Sequence, residues 1–117
     1  MSQVKKVLVT GGNGYVGNYM LKTMAMQYPE IEMLGMSRRG EPRSDDPITK
    51  TLPNVSFVKG NCLEPESYAE SLNGVDAIIH TVGILIPNMK DPNRSFKAVN
   101  RDAAVNMATS LDKLAAE

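Results

Sequence analysis

The 117-residue sequence predicts an α/β fold: a parallel sheet of four strands in the order 3-2-1-4, with helices on both faces. Three observations carry this expectation. Short apolar segments alternate with helix-period or polar ones in the order strand, helix, strand, loop, strand, helix, strand, helix. Strands separated in this way pair in parallel through right-handed crossovers. Four glycines, Gly11, Gly12, Gly14 and Gly17, stand where the first strand gives way to the first helix. Finally, 42% of the residues are hydrophobic, enough for one packed domain over 1–117.

The elements follow in order. "KKVLVT", Lys5 to Thr10, is an apolar run stopped by glycine and reads as a buried strand. From Tyr15 to Gln27 the positions Val16, Met20 and Met24 recur at helical spacing, and "YPE" ends the helix. "EIEMLGMS" is the second strand, and the polar stretch "RRGEPRSDDP" after it reads as loop, with "RSDDP" solvated, or else, lying near the expected adenosine end, able to shift on binding. "NVSFVKG" alternates like a third strand. "EPESYAESLNG" carries Pro65 near its start and Asn73-Gly74 at its end, the punctuation of a short helix. "VDAIIHTV" is the fourth strand, with Asp76 expected to bond backbone at its start. A loop, "GILIPNMKDPNR", leads to a last helix from about Asn93, striped by Phe96, Val99, Ala103, Met107, Leu111 and Leu114.

Composition excludes several classes. Thirteen basic and thirteen acidic residues cancel, so nothing electrostatic favours nucleic acid or an anionic membrane. A lone cysteine, Cys62, forms no internal disulfide, and with His80 the only histidine an intrachain zinc site is not expected. His80 reads as a satisfied core residue, Cys62 as an unreactive thiol, and the eight methionines as adaptable core filler. The longest apolar stretch, "VDAIIHTVGILIP", is too short and too interrupted to cross a membrane. With the first strand starting by Lys5, no cleavable presequence is expected, and Met1-Ser2 reads as a native start.

The glycine cluster has a chemical reading. A diphosphate docked where a strand feeds a helix needs close backbone approach and the free N–H groups of the first helical turn, aided by the helix dipole. "GGNGYVG" contains G-x-x-G-x-x-G (Gly11, Gly14, Gly17) and also G-x-G-x-x-G (Gly12, Gly14, Gly17). Gly11 is expected to permit the tight turn, Gly14 the phosphate approach, and Gly17 close packing of the helix against the sheet, with Asn13, Tyr15 and Val16 completing the loop. No G-K-[ST] follows, which excludes a P-loop. Dinucleotide-binding folds that take NAD place an acidic residue about 20 residues further on. Here "MSRRG" puts Ser37, Arg38 and Arg39 in that region, so guanidinium pairing with a 2′-phosphate favours NADP(H) over NAD(H). The alternative is that both arginines are solvated.

With "TGGNGYVG", "MSRRG", "KGNCLEPES", "VDAIIHTVG" and "FKAVNRDAAVNMA" in register, nearly the whole chain resembles the extended or atypical short-chain dehydrogenase/reductases. That superfamily has a Rossmann-like three-layer fold and includes the NAD-dependent epimerases and dehydratases. "HTVGILIPN" resembles the mitochondrial branch of accessory proteins associated with ubiquinone biosynthesis and respiratory Complex I, which implies a mitochondrial location, with the cytoplasm as alternative. The resemblance implies that Asn61, where the family usually has aspartate, accepts a hydrogen bond from the adenine amino group and that Cys62 offers its backbone N–H to the ring. It also implies that Thr81, Val82 and Gly83 line the riboses and that Asn100 shapes the site or tethers water.

One family feature is missing. Family catalysis uses Tyr-x-x-x-Lys, and the residues four after Tyr15, Tyr19, Tyr28 and Tyr68 are Tyr19, Thr23, Glu32 and Leu72. The chain is therefore expected to bind cofactor without catalysis, as the N-terminal part of a longer oxidoreductase or epimerase fold, truncated after the fourth strand and its helix. Two alternatives are a non-enzymatic subunit stabilised by its nucleotide and a fragment that binds nothing. An exposed fourth strand would then invite a protein partner or self-association, with marginal stability.

Overall fold

A computed structural model of the chain describes residues 4–81 and 102–115. They fall into two compact units, 4–60 with 74–81, and 61–73 with 102–115. Val82, Gly83 and Asn100 lie outside the described residues, as do Phe96 and Val99 of the expected last-helix stripe.

The first unit holds the sheet. Its elements are β1 (Lys6–Thr10), α1 (Tyr15–Gln27), β2 (Glu32–Ser37), β3 (Val55–Lys59) and β4 (Ala77–His80). All pairings are parallel and the order is β3-β2-β1-β4, as the alternation of strands and helices requires. Val9 lies beside Gly35 of β2 and Ile79 of β4, so β1 is central and almost wholly buried. Strands covered on both faces need continuous apolar runs, which is what "VLV" supplies. Among the described residues β4 is an edge.

One face of the sheet packs on α1. Val7, Val9 and Met33 meet Leu21 and Ala25, with Met24, Val55, Phe57, Ala77 and Ile79 around them. Fully burying a side chain such as Leu21 or Val9 contributes about 1.5–3 kcal/mol. The helix is rotated from the expected stripe: Gly17, Asn18, Leu21 and Ala25 face inward, and Val16 is 61% exposed. The physical reason lies in the turn. Gly17 must fit against the Gly11 carbonyl, and that contact sets the helix phase. The far end of α1 is held by Asn54, whose Nδ2 shares its two hydrogens among the carbonyls of Ile31 (2.8 Å), Ala25 and Tyr28 (both 3.2 Å). Asp76 does bond backbone: its Oδ2 accepts from the amides of Lys5 (2.7 Å) and Lys6 (3.0 Å), which hold its carboxyl below the usual range.

In the second unit the expected short helix is instead two 3-10 turns, Pro65–Ser67 and Glu70–Leu72. Ser67 competes for the backbone there; its Oγ takes the Asn61 amide and donates to the Glu64 carbonyl (2.6 Å). The last helix, α2, is described over Ala103–Ala115, with Met107 buried. Tyr68 and Leu72 are buried as well, and burial pushes the Tyr68 phenol up.

Candidate functional site

The glycine turn spans Gly11 to Gly14 between β1 and α1. Gly11 takes φ +68°, a left-handed conformation that L side chains rarely adopt, and its carbonyl accepts the Gly14 amide at 2.9 Å. Gly17 presses so closely on that carbonyl that a Cβ would overlap it and come within 2.9 Å of Thr81 Oγ1. Gly12 plays a part that the motif did not single out. Its amide donates to the Met36 carbonyl (3.0 Å), and a Cβ would stand 2.6 Å from Gly35 Cα on β2. The backbone-on-backbone contact with the sheet therefore belongs to Gly12, and Gly17 packs on the turn itself and on Thr81.

Gly14 is different. Among the described residues a Cβ there would meet only the Gly11 carbonyl, at 3.2 Å, so none of them blocks the space in front of the turn. Gly14 is the N-cap of α1 with no side-chain cap, and the first helical bond runs from the Asn18 amide to the Gly14 carbonyl at 2.9 Å. The amides of Tyr15, Val16 and Gly17 precede that bond and have no helical acceptor. No acidic side chain occupies the first turn of α1. Bare amides at the positive end of a helix dipole, behind a gap without side chains, suit an anionic group.

Around Asn13 two of the other expected residues gather. Arg38 and Arg39 follow β2, are exposed, and with Asn13 line a cleft of about 540 Å³. Among the described residues no carboxylate pairs with either arginine. Ser37 is buried at the strand end, its Oγ accepting the Gly40 amide at 3.0 Å and thereby shaping the bend that presents the arginines. Thr81 is tied to β1: its amide donates to Thr10 Oγ1 (3.0 Å) and its hydroxyl to the Thr10 carbonyl. Tyr15 is 81% exposed beside the turn.

The loop read as solvated is anchored. Asp46 accepts from Asn18 Nδ2 (2.7 Å), Lys22 Nζ (3.1 Å), Thr49 Oγ1 (3.1 Å) and the amides of Ile48 and Thr49. The Asn18 amide above all, then Ile48, Lys22 and Thr49, hold its carboxyl well below the usual carboxylate range, against burial that works the other way. Arg43 on the same loop reaches the Asn13 carbonyl through Nη1 (3.4 Å), pairs with Asp45 (2.6 Å) and sits 5.6 Å from the Tyr15 ring centroid. Neither Arg43 nor Asp46 was marked out by a motif. The only sequence signal was a polar run five to ten residues past β2, and such runs look alike whether free or tied.

His80 is half-buried. Its Nδ1 lies 2.8 Å from Thr10 Oγ1, but Nε2 has no partner among the described residues, so the expectation of a satisfied histidine holds for one ring nitrogen only. Burial pushes its pKa down. In the second unit Asn61 Oδ1 accepts the Leu63 amide (2.9 Å), and Asn106 Nδ2 donates to the Cys62 carbonyl (3.2 Å). The Cys62 thiol is buried and pushed up to about 11, which fits an unreactive cysteine. No cluster of three potential metal ligands occurs among the described residues, and no described helix is long and apolar enough to cross a membrane.

A parallel sheet ordered β3-β2-β1-β4, with a side-chain-free turn between β1 and α1, defines a Rossmann-like nucleotide fold. The chain belongs to the NAD dependent epimerase/dehydratase family, which it matches over residues 7–117. It is 29% identical over 87 residues to MIOREX complex component 2 of Saccharomyces cerevisiae, covering 73% of this chain and 31% of that protein. Its fold is similar to that of dTDP-glucose 4,6-dehydratase from Bacillus anthracis in complex with NAD, with TM-score 0.74 and 21% identity over 94% of this chain and 34% of that one. Yeast methylglyoxal/isovaleraldehyde reductase complexed with NADPH is similar too, with TM-score 0.67 and 13% identity over 92% and 33%. The chain spans 18–31% of the length of the first curated relatives it matches.

Proposed function

We propose that this chain binds NADP(H) in preference to NAD(H), as the dinucleotide-binding part (1–117) of a longer fold of its family. The observation that carries this reading is the turn: with Gly11 bent to a positive φ and Gly17 packed on its carbonyl, Gly14 leaves a gap that no described side chain fills, in front of three amides with no helical acceptor. The amides of Tyr15, Val16 and Gly17 hold the diphosphate, and Asn13 walls the gap. Arg38 and Arg39, on the cleft they share with Asn13, pair with the 2′-phosphate. The family resemblance supports adenosine and ribose contacts from Asn61, Cys62, Thr81, Val82, Gly83 and Asn100. Asn61 Oδ1 has a second lone pair for such a bond beyond the one its own turn uses. The chemistry a nicotinamide supplies when bound is hydride transfer.

The test is titration of the full chain with NADPH and NADH in parallel, repeated after Arg38→Ala. A charged hydrogen bond contributes about 1.5–3 kcal/mol, so NADPH should bind roughly tenfold or more tighter than NADH, and the variant should lose that preference. Equal affinities in the wild type would overturn the reading.

A second reading is supported by the similarity to MIOREX complex component 2. In it the chain is part of a non-enzymatic accessory subunit of a mitochondrial ubiquinone or respiratory assembly. Bound dinucleotide then stabilises the fold, by about 2.7 kcal/mol at a hundred times Kd. Edge strand β4 would be the seat of a protein partner or a second copy. NADPH binding without turnover in the longest natural form favours this reading; a downstream Tyr-x-x-x-Lys with measurable reduction favours the first.

A further inference from the structure

Arg43 and Asp45 are unassigned by the reading above, yet they stand beside the turn. We propose that Arg43 is a third guanidinium of the 2′-phosphate subsite, held in reserve by Asp45 until a phosphate monoester displaces that carboxylate. The proposal rests on the NADP(H) reading and extends it to a residue outside the glycine and "MSRRG" motifs.

Three observations place Arg43 there. Its Nη1 points at the carbonyl of Asn13 (3.4 Å), the residue between Gly12 and Gly14. A second cleft, of about 400 Å³, has Arg43 and Asp45 on its wall and shares Asn13 and Arg39 with the cleft that Arg38 lines. Arg38 and Arg39 thus line one cleft at Asn13, and Arg39 and Arg43 line the other, together with Glu41. Arg43 also has donors to spare, because Nε serves Asp45, Nη1 serves Asn13, and no acceptor among the described residues takes Nη2.

The exchange is physically easy. Asp45 is 68% exposed, and an ion pair so open to water is a weak tether. A phosphate monoester brings more charge than a carboxylate, and its oxygens match two parallel guanidinium donors. The loop needs little ordering, since Asp46 next along the chain is already bonded to Asn18, Lys22 and Thr49. Asp45 has only to swing into solvent.

Calorimetric titration of the full chain with NADPH and NADH tests this in Arg43→Ala, Arg43→Lys and Asp45→Asn, with circular dichroism confirming the fold. Arg43→Ala should weaken NADPH binding about tenfold and leave NADH within about twofold. Arg43→Lys should recover part of the loss, because an ammonium is a point charge without the fork. Asp45→Asn should tighten NADPH about threefold and leave NADH unchanged, since it removes the competitor. Arg43→Ala acting equally on both cofactors, or on neither, overturns the assignment, and an unmoved Asp45→Asn overturns the exchange. Arg38→Ala separates the two levels. If it abolishes the NADPH preference while Arg43→Ala leaves it intact, the NADP(H) reading stands and this one falls. If the wild type has no preference, both fall.

Discussion

Gly12→Ala isolates the contact between the turn and the sheet. The new methyl carbon would sit 2.6 Å from Gly35 Cα, 2.9 Å from Gly35 C and 3.1 Å from the Met36 nitrogen. All three are backbone atoms of β2, which is paired on both sides to β1 and β3, so no flexible side chain can move aside. Either the turn or the strand must shift. Overpacking of this kind costs about 1–3 kcal/mol. The 3.0 Å bond from the Gly12 amide to the Met36 carbonyl stretches with it, adding about 1 kcal/mol. The sum, about 2–4 kcal/mol, is a large part of the roughly 5–15 kcal/mol that holds a domain folded. At about 4 °C per kcal/mol the melting temperature should fall by about 8–16 °C. Gly14→Ala is the internal contrast. Its methyl meets one carbonyl at 3.2 Å and projects into the gap, so stability should change by under about 1 kcal/mol while dinucleotide affinity collapses. Thermal and urea unfolding followed by circular dichroism, with NADPH titration alongside, read both effects. Gly12→Ala melting within about 2 °C of wild type, a difference of about 0.5 kcal/mol, would refute the packing argument.

Two further outcomes follow from the titrating groups. Asp46 has a folded pKa below its ordinary 3.8, so the stability it adds is fully present above that value and is lost as pH falls through its lower, folded value. In urea unfolding the gap between wild type and Asp46→Asn should therefore stay constant from neutral pH to about pH 5 and narrow below the ordinary carboxyl range; a gap that narrows already between about pH 7 and 5 would contradict it. Cys62, lifted by burial from 9.0 to about 11, carries about a hundredfold less thiolate than in the unfolded chain. Ellman's reagent should label the native protein at least that much more slowly than the protein in urea, and comparable rates would show the thiol to be open.

The architecture and the position of the turn were legible because both are written in local patterns. "VLVTGG" has the apolar run and the stop of a buried strand, and alternating strands and helices leave few parallel topologies. Asp76 was legible too, since a polar residue opening an apolar strand has backbone amides within reach. The face of α1 was not. Val16, Met20 and Met24 satisfy helical spacing as well as Leu21 and Ala25 do, and periodicity cannot choose between stripes that overlap. The short helix after Pro65 dissolved into two 3-10 turns because the hydroxyl of Ser67 offers the backbone a competing partner.

By itself, then, the order of residues determined a parallel sheet and a bend without side chains at the head of α1. Contacts between segments distant along the chain decided the rest: Gly12 against Gly35, Asp46 bonded to Asn18, Arg43 brought to Asn13. Local preferences act over a few residues, whereas Asp46 and Asn18 stand 28 apart and Arg43 and Asn13 stand 30 apart. A polar loop has the same composition whether water or protein takes its hydrogen bonds, and only the folded arrangement around the turn says which.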